Sequence, residues 1–143
     1  GKVRPGLSGA MVSQVDLMAS LAGIVGADLP EGAGPDSFNE SEVILGRSDK
    51  DRDFLIEHAA WGTLSIIQDG WKYIEPSRGA RYNRNVDIEL GNDTVPQLYN
   101  LVKDLGEQQN LAEQEPTRTK ELSDLLEAVK KSPASKPLWP RRR

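Results

Sequence analysis

The chain has 143 residues, 37% of them hydrophobic and 28% charged, with a formal net charge of −4; this is the length and class of one soluble globular domain with a real core, too short for two large ones. The acidic balance argues against a nucleic-acid or anionic-membrane partner, both of which want a basic face, and the closing Arg141-Arg142-Arg143 reads as a solvated terminus. With no cysteine the chain has no disulfide, thiolate metal site or cysteine nucleophile, and no apolar run approaches the roughly 20 residues of a membrane span.

Gly1 to Gly9 is loop-like, with Arg4-Pro5-Gly6 as a turn signal. A helix is predicted from Asp16, which can cap it. Leu17, Leu21 and Ile24 recur at helical spacing, and Gly26 can end it. The prolines and glycines between Leu29 and Phe38 mark an irregular connector. Ser41 to Gly46 adds a short helical turn, and Arg47 to Asp53 a charged surface loop.

Three short β segments follow: Phe54 to His58, Thr63 to Ile67, and Trp71 to Ile74. The last two are joined by Asp69-Gly70, a tight hairpin signal. Pro76 to Thr94 is long, polar and rich in Arg and Asn, and a loop of this length inside a compact domain tends to be functional or disordered. The apolar–polar alternation around Leu98, Tyr99 and Leu101 predicts a strand beginning at Gln97. That strand would close an antiparallel sheet of about four strands. Lys103 to Gly106 supplies turn chemistry, and Glu107 to Ala112 is expected to form one helical turn.

Pro116 opens a last helix running to about Lys131. Leu122, Leu125, Leu126 and Val129 form its apolar stripe, and Lys120–Asp124 and Glu127–Lys131 are outward pairs at i,i+4. Burying each Leu or Val is worth roughly 1.5–3 kcal/mol, far more than those charge pairs, so the stripe must cover one face of the sheet. Ser132 to Arg143, with its prolines, reads as a loose tail in which Trp139 can dock.

Gln97 to Ala112, containing Leu98-Tyr99-Asn100-Leu101 and Asn110-Leu111-Ala112, resembles the Leu-Tyr-Asp-Leu…Asp-Pro-x-Glu…Asn-Leu-Ala signature near the C-terminus of sulfatases of the alkaline-phosphatase-like superfamily. Asn100 stands for the usual Asp and Leu105 for the usual Pro. Three further stretches are similar to sulfatase sequence in the same order. They are Gly1 to Gly6, then Val12-Ser13-Gln14-Val15-Asp16-Leu17 with Leu21-Ala22-Gly23, then Gly70-Trp71-Lys72-Tyr73-Ile74. The resemblance covers about Gly1 to Val129. It implies an α+β fold, with a small antiparallel sheet packed on the C-terminal helix and, before it, a helix from the edge of a missing α/β domain. Residues 1–46 would end the large domain, 47–131 form the C-terminal subdomain and 132–143 the tail.

Sulfatases hydrolyse sulfate esters with a formylglycine made from Cys or Ser in a Cys/Ser-x-Pro-x-Arg motif, beside a divalent cation, usually calcium. The resemblance therefore implies calcium and formylglycine for a parent enzyme, but none of that equipment can be placed on this chain. Ile74-Glu75-Pro76-Ser77-Arg78 has the tail of the nucleophile motif, yet Ile74 occupies the nucleophile position and an aliphatic side chain cannot become an aldehyde. The implied partners are the missing N-terminal domain and a sulfated small molecule or glycan, and the implied compartment is periplasmic or secreted.

The candidate substrate-binding residues are few. His58 is the only histidine; it ends a predicted strand and has no second ligand at metal-binding spacing. Arg78, Arg81, Asn83, Arg84, Asn85 and Asn92 crowd the long loop. Arg offers a planar donor fork suited to sulfate, and Asn can read sugar hydroxyls. Trp61 can stack on a sugar ring. Asp49, Asp51 and Asp53 alternate like a calcium loop but lack its glycine and distal glutamate. The expectation is the C-terminal portion of a sulfatase that walls the substrate cleft and is inactive alone. The alternatives are a non-catalytic binding module of the same shape, or a related phosphatase or phosphodiesterase.

Overall fold

The computed structural model describes residues 3, 6–50, 52–59 and 62–133. They divide into two units: the described residues of Gly1–Leu55 and Val129–Arg143, and those of Ile56–Ala128. Trp61, Trp139, Asp51 and most of the predicted tail lie outside the described residues.

In the first unit a 3-10 turn, Gln14–Asp16, leads into helix α1, Leu17–Val25, which ends at Gly26 in the left-handed conformation (φ 71°). The predicted cap differs. Asp16 makes no side-chain cap bond to the helix. Ser37 Oγ instead accepts the first-turn N–H of Ala19 at 2.9 Å, from 18 residues downstream. Asp16 is fully buried and accepts from Ser13 N (3.0 Å), Phe38 N (2.9 Å) and the Arg52 guanidinium (2.8 and 2.9 Å). Arg52 also donates to Phe54 O and lies over the Phe38 ring, 4.6 Å from its centroid. A charge pair this deep is tolerable because nearly every polar atom in it has a partner. Helix α2, Ser41–Ile44, is the predicted short turn.

The apolar stripe of α1 is not covered within this unit. Leu17, Met18, Leu21 and Val25 are 45%, 49%, 55% and 74% exposed, while Ala19 and Ser20 are the buried positions of the helix.

In the second unit the strands β1 (Leu55–His58), β2 (Leu64–Gln68), β3 (Trp71–Ile74) and β6 (Gln97–Asn100) form one sheet in the order β1-β2-β3-β6. The β2–β3 turn is the predicted Asp69-Gly70, both residues at positive φ (50° and 75°), as a two-residue hairpin requires. Register puts Ile66, Tyr73 and Leu98 opposite one another on one face, each at most 4% exposed. On helix α3, Pro116–Lys131, Leu122 and Leu126 are 1% exposed, and Arg118 lies over the Trp71 ring. The expected α+β arrangement, a small sheet with its C-terminal helix, is therefore present.

Two elements depart from expectation. The long loop carries a two-stranded hairpin, β4 (Tyr82–Asn83) with β5 (Ile88–Glu89). Glu107 to Ala112 is not helical. Asp104 Oδ2 accepts from the backbone of Gln108 and Gln109, and Asn110 Oδ1 from Leu98 and Ala112. Side chains thus take the N–H groups that a helical turn would have used.

Candidate functional site

The second face of the sheet is polar. Alternation along β3 puts Lys72 and Ile74 opposite to Trp71 and Tyr73, and register aligns them with Ile67 and Ser65 of β2 and with Tyr99 and Gln97 of β6. Of these, Ser65, Lys72, Ile74, Gln97 and Tyr99 floor an open cleft of about 420 Å³, bounded by Glu57 and His58 of β1 and by the 105–108 turn.

Lys72 organises the cleft. Its Nζ lies 3.1 Å from Glu57 Oε2 and 2.9 Å from Glu107 Oε1, and Ser65 Oγ donates to the same Glu57 oxygen at 2.8 Å. Burial pulls the ammonium's pKa down, but hydrogen bonds and charge from Glu107 and Glu57 outweigh it, so the pKa rises above its ordinary value. Tyr99 donates to Gln97 Oε1 at 2.7 Å, and Gln97 Nε2 donates to Gly91 O at 2.7 Å. Burial pushes the Tyr99 phenol up, and the negative charges of Glu107, Glu89 and Asp93 push it further. Glu57 and Glu107 thus engage the cleft's one ammonium, and Glu89 lines the same cleft. Such a cleft accepts hydroxyl donors and repels a free anion.

Beside it, residues 76–94 are anchored at their base. Asn92, 2% exposed, receives a hydrogen bond from Thr63 Oγ1 (2.5 Å) and donates to Ala80 O (2.8 Å). Thr63 Oγ1 also bonds Ser77 Oγ (2.8 Å), and Ser77 N donates to Asp93 O (2.6 Å). Gly79 passes so close that a Cβ there would sit 2.8 Å from Asn92 Nδ2. Above this base the β4–β5 hairpin is tied by Leu90 N to Arg81 O (2.8 Å), by Asn85 N to Asn83 Oδ1 (3.1 Å) and by the Tyr82 hydroxyl to the Asp87 carboxylate.

Of the residues singled out in the sequence, His58 is exposed at the end of β1 and borders the cleft. Arg78 and Arg81 are exposed, and Arg81 Nη2 lies 3.3 Å from Asp93 Oδ2. Asn83 is half-buried in β4; Asn92 is interior, with both ends of its amide engaged by protein. Trp61 falls outside the described residues. The sequence reading missed Lys72, Glu57, Glu107 and Tyr99. The available signal was the single charge in Trp71-Lys72-Tyr73-Ile74, which alternation places away from the core.

The described residues do not fit the groups of a sulfatase reaction centre. Among the described residues no three His, Cys, Asp or Glu side chains gather as metal ligands. Ile74, at the nucleophile position of the partial motif, is a 7%-exposed aliphatic of β3. Among the described residues no helix is long and apolar enough to cross a membrane.

No protein-family model matches the chain. It is 43% identical over 129 residues to an N-acetylgalactosamine-6-O-sulfatase of Bacteroides thetaiotaomicron, aligning 90% of this chain with 25% of that protein. A solved structure concerned with the metabolism of multiple glycosaminoglycans by Bacteroides thetaiotaomicron matches with a TM-score of 0.86 at 42% identity, covering 92% of this chain and 27% of that one. A 2-O GAG sulfatase shares the fold, with a TM-score of 0.55 at 19% identity over 87% of this chain and 26% of its own. The chain spans about a quarter of the length of the relatives it matches.

Proposed function

We propose that this chain, the counterpart of the C-terminal portion of a sulfatase, serves as that portion of a sulfuric ester hydrolase, walling the substrate cleft while the reacting groups lie on a preceding domain. The identity of 43% sustained over 90% of the chain carries this reading. The substrate it favours is a sulfated carbohydrate, with 6-O-sulfated N-acetylgalactosamine first among candidates because the relative is named for it.

On this reading His58, Arg78, Arg81, Asn83 and Trp61 face the substrate, and Asn92 shapes the loop that presents them. Calcium and formylglycine belong to the preceding domain, whose apolar surface covers the exposed stripe of Leu17, Met18, Leu21 and Val25. The parent enzyme is periplasmic or secreted.

The test is a hybrid enzyme in which this chain replaces the aligned quarter of the Bacteroides thetaiotaomicron sulfatase. The hybrid is expected to release sulfate from N-acetylgalactosamine 6-sulfate, whereas the 143-residue chain alone leaves a chromogenic aryl sulfate intact even with calcium. A folded but inert hybrid, or dye release by the chain alone, overturns the proposal.

A further inference from the structure

Asp69-Gly70 closes the β2–β3 hairpin, and the chain has no other Asp-Gly or Asn-Gly pair. Neither residue is freely replaceable. Gly70 has φ 75°, and a Cβ on it would sit 2.7 Å from Val102 Cγ2. Asp69 has φ 50°, a conformation that few residues besides Gly, Asn and Asp accept. The turn therefore keeps a side-chain carboxyl next to the least shielded of main-chain amides, since glycine has no side chain to cover its nitrogen.

Both groups are available. Asp69 is exposed, and among the described residues its carboxylate has no hydrogen bond or ion pair. The Gly70 N–H has no acceptor there either, because the closing pair of the ladder is Gln68 with Trp71 and the two turn residues lie outside it. An unengaged nucleophile and an unengaged electrophile are thus adjacent on the surface, one covalent step from a ring.

We infer that Asp69 is a site of spontaneous modification in the folded chain, isomerising to isoaspartate through a cyclic imide formed with the Gly70 nitrogen. The nitrogen bonds to Asp69 Cγ and gives up its proton, and one carboxyl oxygen leaves as water. Water then opens the imide. Breaking the new bond restores aspartate; breaking the original peptide bond leaves the main chain running through Cβ and Cγ, with the old carbonyl freed as the carboxylate. The water lost is regained, and nothing is oxidised or reduced. The product has one more main-chain carbon in a turn that has no slack: Gly70 is wedged against Val102, and its carbonyl accepts Leu101 N at 2.8 Å. The added length is taken up by β3 from its turn end, where Trp71 and Lys72 pair with Gln68 and Ile67 on one side and with Asn100 and Tyr99 on the other. Lys72 in turn holds Glu57 and Glu107, so a change at the turn reaches the cleft without altering mass or net charge.

The experiment ages the full 143-residue chain, folded and at neutral pH, in heavy-oxygen water, then maps tryptic peptides by mass spectrometry in ordinary water. Peptide 53–72 is expected to gain one heavy oxygen, which fragmentation places at Asp69 and not at Asp53. The aged chain should also accept methyl groups from S-adenosylmethionine in the presence of an isoaspartyl methyltransferase, and the methylated fraction should exchange the amides of Trp71, Lys72 and Leu101 faster than the fresh protein. Asp69→Glu, whose longer side chain closes the ring poorly, should lose both the label and the methyl acceptance; Glu107, at φ 53°, shows that glutamate is tolerated in this backbone conformation. Asp69→Asn should convert faster, releasing ammonia in place of water. Heavy oxygen at Asp69 only when the chain is aged in urea would show that the folded turn protects the pair, and would overturn the inference, as would equal labelling of every aspartate or no label at all.

Discussion

Arg52 Nη1 lies 2.8 Å from Oδ1 and 2.9 Å from Oδ2 of Asp16, with the two side chains 3% and 0% exposed. The pair joins the start of α1 to a residue 36 positions downstream, and the same carboxylate holds Phe38 N. Removing one partner strands a buried charge, so Asp16→Ala or Arg52→Met is expected to cost about 3–5 kcal/mol in urea denaturation. Replacing both at once with Leu and Met should cost less than the sum. Additive losses would show that the two groups act independently.

Lys72 gives a pH signature. Its folded-state pKa is raised above 10.5, so the stability it supplies is fully present below that value and is lost as pH climbs through the raised one. Tyr99, also raised from 10.0, acts in the same direction, which makes Lys72→Met the necessary comparison. At neutral pH that variant should lose about 1–2 kcal/mol, because Glu57 and Glu107 remain partly hydrated after losing their partner. Above pH 10.5 the gap between the two proteins should narrow. A constant gap in denaturation profiles from pH 8 to 11.5 would mean that the ion pairs contribute nothing.

Gly79 is required for space, not for backbone freedom, since a Cβ there would meet Asn92 Nδ2 and Cγ at 2.8 and 2.9 Å. Gly79→Ala should displace the Asn92 amide and cost about 1–3 kcal/mol, the range for overpacking. Hydrogen exchange is expected to speed up across residues 76–94 while the β2–β3 ladder stays protected. Unchanged exchange in the loop would contradict this.

The stripe on α1 offers a solubility test. Leu21→Lys with Val25→Lys alters positions 55% and 74% exposed, so stability should change by no more than about 0.5 kcal/mol each. Self-association of the isolated chain, followed by light scattering, should fall. Association that persists unchanged would place the sticky surface elsewhere.

The strands and the last helix were legible because their signals are local: alternation in Trp71-Lys72-Tyr73-Ile74, the Asp69-Gly70 turn, and the stripe of Leu122 and Leu126. The sequence presents Asp16 as a cap because its partner, Arg52, is distant in sequence, and no local pattern pairs them. The β4–β5 hairpin escaped notice because its strands are two residues long and carry no core face. The cleft was half legible. His58 stood out by being unique, but Lys72 meets Glu57 and Glu107 only through the strand order of the folded sheet.

The alternation in β3 also bears on how the sequence can drift. Adding or deleting one residue between Trp71 and Lys72 would carry Lys72 to the buried face of Ile66, Tyr73 and Leu98, so length there is effectively frozen. The span from Arg81 to Leu90 returns close to where it left, its ends linked by Leu90 N and Arg81 O, and can lengthen or shorten without disturbing a single ladder of the main sheet. Related chains should therefore diversify by insertion at the fingertip and keep the palm unchanged.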